Sequence, residues 1–427
     1  MITGNPYYVS YKIPEEWGNK KFKEICDFQR GISYSSSDLD EKSGNYLISL
    51  LCFKIGGGFK KSGIKFYKGK EIKNAILNEN DIVIAITEVT LKAEIIGYPL
   101  LVPALNDKKI FYTMDTCKIQ PKIKISNKYL YYFLSSVISH KSMHAFSSAT
   151  TVMHLSLNSV KNVQVPIPSY PEQQKIAEIL TKVDDVIQEY EKSIELTKKF
   201  KRGLMQNLLT KGISHTKFKD SEIGKIPEEW KLYSMKEFGK WVGGGTPSKQ
   251  RKDFWDNSGI LWISPKDMKS LEIQNSKEKI TKLGLDNSSA QGIKLNSILM
   301  VVRSGILTRN FPVAITKKTV TVNQDLKGII VNDQFNPKYI LHLLLFYNNL
   351  IRLSCMKRGT TVHSMDVKLL MKFKLAVPSI NEQNTIEEIL SNIDSKIVNL
   401  NNKKNTLKKL KSDLIQKLTI GQIRVKV

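Results

Sequence analysis

The sequence predicts two copies of an α/β (α+β) domain, each followed by one long helix, with the two helices paired as an intramolecular antiparallel coiled coil. Three observations predict it. "IPEEW" at Ile13 to Trp17 returns at Ile226 to Trp230, an offset of 213 residues, and "PEQQKIAEIL" from Pro171 returns as "NEQNTIEEIL" from Asn381, an offset of 210. After each of the latter segments apolar residues recur in alternating steps of four and three, the spacing of a coiled-coil seam. At 427 residues the chain exceeds one ordinary core, and two matched halves account for its length.

The elements follow in chain order. The first domain spans residues 1–168, the first spacer helix 169–213, the second domain 214–378, and the second spacer helix with a C-terminal tail 379–427. Within the domains, "DIVIAIT" and "SILMVV" are short β-branched runs bounded by Asn and Lys. Smaller echoes keep the same register: Lys23 and Glu24 with Lys236 and Glu237, "NDIVI" from Asn80 with "NSILM" from Asn296, and "TTV" from Thr150 with the same triplet from Thr360. Ser169 with Glu172, and Ser379 with Glu382, form Ser-x-x-Glu capping boxes that predict a helix start at each. The seam then runs through Ile176, Leu180, Val183, Ile187, Tyr190 and Ile194, past Thr197 and Lys201 to Leu204 and Leu208. The second copy runs through Ile386, Leu390, Ile393, Ile397 and Leu400, then Lys404, Leu407, Lys411, Leu414 and Leu418. Gly212 and Gly421 are the expected stops. Each helix should be about 60 Å long at 1.5 Å per residue. A stripe that long needs a partner, and the other copy is the obvious one, with each helix lying on its own α/β domain as the alternative. Antiparallel pairing would set one domain at each end of the rod.

Composition narrows the function. Lys and Arg number 66 against 40 Asp and Glu, a net charge of +26, in a chain that is 41% hydrophobic. A folded protein this basic is built to meet a polyanion. No run of about 18 apolar residues suggests a membrane span, and "MITGNPYYVSYKIPEEW" lacks the plan of a signal peptide, so a cytoplasmic protein is expected. Cys26, Cys52, Cys117 and Cys355 are scattered and form no C-x-x-C pair, so buried reduced thiols are expected. Enzyme signatures fail one by one. Tyr7 spoils the N-P-P-Y pattern of amino-methyltransferases in "NPYY", and "GGGTPSK" lacks the second glycine of a P-loop. His140 and His144 share a helix face with no third metal ligand nearby.

These motifs together resemble the specificity subunit of type I restriction-modification systems. The resemblance rests on "IPEEW" opening each half, "PSYPEQQKIAEILTKVDDVI" and "PSINEQNTIEEILSNIDSKI" opening each helix, "LMQNLLTKGI" closing the first, and the terminal "LTIGQIRVKV". It implies that each α/β part is a target recognition domain reading one half of a split DNA sequence. It also implies that the helices form a spacer docking two methyltransferase (modification) subunits, with restriction motor subunits joining them. S-adenosylmethionine, ATP and Mg are then expected in those partners, and no catalytic residue, cofactor or metal in this chain. The second domain follows one recognition-domain pattern in "GGGTPSK", "ILWISPKDM", "VVRSGILTRNFPVA" and "VNQDLKGI"; the first departs from it with "QRGISYSS" and "AITEVTLKAEIIGYP". Unlike half-sites would produce that difference.

DNA contacts should be Lys and Arg on phosphates and Arg, Asn, Ser or Thr at base edges. In the second half the candidates are Lys249, Arg251 and Lys252 after the glycine loop, Arg303, Ser304, Arg309 and Asn310 around a strand end, and Lys357, Arg358, Thr360, Thr361 and His363 in "KRGTTVH". In the first half they are Lys54, Lys60, Lys61 and Lys65 around "GGGFKKSGIK", with Thr150, Thr151 and His154. The triple glycines suit either close phosphate approach or tight turns. Basic helix residues such as Lys198, Lys199, Lys201, Arg202, Lys408, Lys409 and Lys411 either run beside the DNA between the half-sites or form a solvated face, the latter being expected for most. The rival readings are a coiled-coil scaffold for protein partners and a nucleic-acid modifier that acts alone.

Overall fold

The computed structural model describes residues 12–41, 43–89, 92, 94–105, 108–145, 147–149, 152–357 and 362–426. The chain divides into two compact units, Met1–Lys192 with Asn401–Val427, and Ser193–Leu400.

In the first unit an antiparallel sheet has the order Cys26–Arg30, Thr116–Pro121, Ile82–Ala85, Pro99–Leu101. In the second unit the strands Gly239–Gly243, Leu326–Val331, Ile298–Val301 and Val313–Thr316 repeat that order and sense. The strand Ile82–Ala85 is an unbroken apolar run because both of its faces are covered. Ile82 and Ile84 face Tyr129, Leu130 and Phe133, while Val83 and Ala85 face Leu47, Phe111 and Tyr112. Ile298 and Met300 against Leu299 and Val301 divide in the same way. Asn80 (φ 65) and Asn296 (φ 59) precede these strands in the left-handed region, which a short Asn side chain tolerates. The "NDIVI" and "NSILM" echo therefore records a backbone turn.

Each copy is closed by its own ends. Gly18–Lys21 pairs antiparallel with Gln164–Ile167, starting at Gly18 opposite Ile167. Lys231–Ser234 pairs with Lys374–Val377, starting at Lys231 opposite Val377. The two offsets seen in the sequence are thus the two sides of one repeated strand pair.

The long helices span Tyr170–Leu208 and Ile380–Thr419. Every apolar seam position is buried or half-buried. In the first unit Asp184 pairs with Lys411 at 2.5 Å and Glu191 with Lys408 at 2.9 Å, numbers that run in opposite directions and so mark antiparallel neighbours. In the second unit Lys201 pairs with Asp394 at 2.6 Å. Lys201 and Lys411 are therefore not part of a solvated face: each is a seam residue whose amine is largely covered and neutralised by the opposite helix. Self-packing of the helix also occurs at its first turns, where Ile176 and Leu180 join Tyr129 and Phe133, together with Ile415 and Leu418.

The capping boxes form only by half. Ser169 and Ser379 accept from the amides of Glu172 and Glu382 at 3.4 Å, but neither glutamate reaches back to its serine. Glu172 is buried and receives the Trp17 indole N–H at 3.1 Å and the Arg424 guanidinium at 2.8 and 3.1 Å. Glu382 receives the Trp230 indole at 3.3 Å and the Ile213 amide at 2.9 Å, and lies 3.0 Å from His215 Nε2. A buried carboxylate with three donors is more stable there than in a local box. The glycine stops belong to the same nodes: Gly212 (φ 67) and Gly421 (φ 76) are left-handed, and a Cβ would strike Glu382 and Trp230 in one, Pro14 and Trp17 in the other.

The cysteines Cys26, Cys52, Cys117 and Cys355 are free and buried. Burial pushes the Cys26 and Cys117 thiols up to about 12. Among the described residues no helix is long and apolar enough to cross a membrane.

Candidate nucleic-acid interface

The strand Ile298–Val301 ends beside Arg303, and Ser304 caps a 3₁₀ turn, Gly305–Thr308, by accepting from the Ile306 amide at 3.4 Å. The chain then returns to this strand end from far away. The Ser304 amide donates to the His363 carbonyl at 3.0 Å, Lys357 to Ser364 at 2.9 Å, and Met365 to Val302 at 2.8 Å. Backbone pairing thereby brings Lys357 and His363 to Arg303 and Ser304; Arg358, Thr360 and Thr361 lie outside the described residues. Arg309 and Asn310 follow the 3₁₀ turn and are exposed, and neither is among the residues that line the cleft beside Arg303.

A cleft of about 600 Å³ opens here, lined by Trp262, Ser264, Pro265, Lys266, Glu278, Arg303, Ser304, Gly305, Asn323, Asp325 and Val362. Arg303 donates its Nε–H to Asp325 Oδ1 at 2.6 Å, and Asn323 donates to the other oxygen of Asp325 at 3.0 Å. Glu278, also in the lining, is ion-paired with Lys249, whose amine lies 3.4 Å from the centre of the Trp255 ring and 5.0 Å from that of Trp262. This is cation–π contact with two indoles set edge to face. Lys252 lines an adjoining pocket with Lys249 and Trp255, whereas the Arg251 fork is occupied by Asp253 at 2.9 and 2.6 Å. Gly244 and Gly245 pack where a Cβ would collide with Asn323 and Ser289, so close packing accounts for both.

In the first unit Lys54, Lys60 and Lys61 are exposed around a tight loop in which Gly56, Gly57 and Gly58 have φ of 77, 93 and 94. The Lys54 amide closes that loop on the Gly58 carbonyl at 2.9 Å. Lys65 is half-buried, with its amine 2.9 Å from the Tyr34 hydroxyl. His154 is exposed on the strand Met153–Leu155, directly opposite Thr87. Thr150 and Thr151 lie outside the described residues. His140 stacks on Tyr98 at 3.9 Å, and among the described residues no group of three His, Cys, Asp or Glu gathers as a metal site.

Superposing the repeat on itself exposes residues that sequence reasoning missed. Thr87 faces His154 as Arg303 faces Ser364, and Thr87 Oγ1 donates to Asp115 at 3.1 Å as Arg303 donates to Asp325. Asp115 and Asp325 stand 210 residues apart, in "TMDTCKI" and "VNQDLKGI". That offset, already marked by the helix starts, was the available signal.

A type I restriction-modification S subunit from M. genitalium has the same fold, with TM-score 0.57 over 96% of this chain and 97% of that one at 14% identity. A chain from a structure of type I R-M complex assembly and conformational transition matches with TM-score 0.60 over 97% and 100%, at 15% identity. In sequence, the EcoR124I/EcoR124II specificity subunit of Escherichia coli is 37% identical over 274 residues, 63% of each chain, so just under two thirds of that relative is spanned. The MjaVIII specificity subunit of Methanocaldococcus jannaschii is 26% identical over 97% of this chain and 95% of its own length. The type I restriction modification DNA specificity domain matches twice, at residues 14–198 and 227–409, once in each half of the repeat. Two such domains on one repeated frame, over most of its length, make this chain a member of the type I restriction modification DNA specificity family.

Proposed function

We propose that this chain is the sequence-reading component of a type I restriction-modification complex, binding double-stranded DNA at an asymmetric, split target with one domain on each half-site. The observation that carries this reading is one repeated frame bearing unlike side chains at equivalent places, Thr87 with His154 in the first unit and Arg303 with Ser364 in the second. A common frame holds the reader to the duplex, and the differing side chains supply two different readings. The net charge of +26 supports phosphate affinity. The paired helices offer two equivalent seats for methyltransferase subunits, and restriction motor subunits join that assembly. Methyl transfer with S-adenosylmethionine and cleavage driven by ATP and Mg belong to those partners, and this chain acts with them on DNA in the cytoplasm as a non-catalytic subunit.

Methylome sequencing of a host expressing this chain with its methyltransferase subunits tests the proposal. A new split, asymmetric methylated motif is the expected result. A stable complex that produces no motif favours a scaffold role, and methylation by the chain alone favours an independent modifier; either outcome overturns the proposal.

A further inference from the structure

Building on the DNA-recognition reading, we infer that Arg303 reads a guanine in the second half-site and that Asp325 is the positioning residue that aims it. For so basic a chain the cleft is only weakly positive, because of the charges gathered there Lys266 alone has no acidic partner among the described residues. Glu278 is matched by Lys249, and Asp325 by Arg303. A phosphate is held by net positive charge, of which this cleft offers only that of Lys266, whereas a base edge is read by the direction of donors and acceptors.

The direction is set. Asp325 takes the Nε–H of Arg303 at 2.6 Å and is itself held from behind by the Asn323 amide at 3.0 Å. Its backbone carbonyl also receives the amides of Val302 and Arg303 at 2.8 and 3.2 Å, so carboxylate and arginine backbone are fixed to each other. Among the described residues the two terminal nitrogens of Arg303 have no protein partner, and its side chain is 54% exposed in the cleft. Two parallel N–H donors on a fixed plane match the adjacent O6 and N7 acceptors of guanine, a pair that no other base presents in the major groove. The first unit keeps the carboxylate, Asp115, but places the short hydroxyl of Thr87 on it. It therefore lacks this guanine fork, and its half-site is read differently.

The test compares motifs made by the full complex with wild-type chain, Arg303→Lys, Asp325→Ala and Asp325→Asn. The expected result is one G·C pair in the second half-site whose preference falls at least tenfold with Arg303→Lys and with Asp325→Ala. Asp325→Asn, which still accepts the Nε–H, should keep most of it. The first half-site is the internal control for folding, since a misfolded chain loses both halves. Uniform weakening on all sequences would make Arg303 a phosphate contact, and a second half-site with no relaxed guanine would make it a bystander; either overturns the inference. Absence of any split motif with the wild-type chain is a separate outcome, and it refutes the underlying DNA-recognition reading.

Discussion

Trp17 and Trp230 each give the one polar hydrogen of the side chain to a glutamate that starts a helix more than a hundred residues away. Both partners were visible as repeated residues, yet nothing local joins them. A Ser-x-x-Glu box looks complete by itself, and only the fold shows the carboxylate diverted to a tryptophan and a cation. The readers were legible to the same degree. Arg303 stands out as an arginine in a glycine-containing loop, while Asp325 declares itself only through the arginine it holds. Trp17→Phe keeps an aromatic ring but loses the N–H half of the indole, and with it a hydrogen bond to a buried charged group, and should cost at least about 2 kcal/mol. The readout is an earlier denaturant midpoint by circular dichroism; an unmoved midpoint would mean that Arg424 alone satisfies Glu172.

At the scale of elements, one polar node is written twice in different residues. In the first unit Tyr132 donates to Asp184 at 2.9 Å, and Asp184 pairs with Lys411. In the second, His342 stands where Tyr132 does, beside the Lys201 and Asp394 pair. His342 is buried with Nδ1 lacking a partner among the described residues. Burial, with Lys201 adding to it against the opposing pull of Asp394 and Glu387, holds its pKa down from 6.5 to about 4. The folded imidazole therefore takes up its proton later than the unfolded one does. Its contribution is fully present above pH 6.5 and is lost as pH falls towards 4. The total loss is at most about 3 kcal/mol. Urea unfolding at stepped pH should show this decline, and His342→Tyr, the first unit's own solution, should flatten it. Equal slopes for the two chains would exclude His342 as the source. The heptad spacing was readable in advance; that seam lysines at 201 and 411 are matched by aspartates was not, because a basic helix face and a paired seam look alike in one dimension.

Across the whole molecule, a net charge of +26 should make binding to any duplex fall steeply with salt. Between 50 and 200 mM the loss should reach about 10³-fold if about six phosphates are contacted. Fluorescence anisotropy with a duplex of arbitrary sequence measures it, and a flat response would remove phosphate contact from the account. The sequence by itself determined the duplication, the long helices and their seam, and the family. Those properties live in periodicity and repeated motifs, which survive in one dimension because every turn of a helix and every copy of a domain meets the same local demands. Only the tertiary structure decided where Glu172 and Glu382 point, which lysines are paired, and that Arg303, Asp325 and the chain around His363 meet at one cleft. Those facts depend on side chains brought together across tens to hundreds of residues. Their geometry is set by strand register and by burial of charge, neither of which is written at any single position.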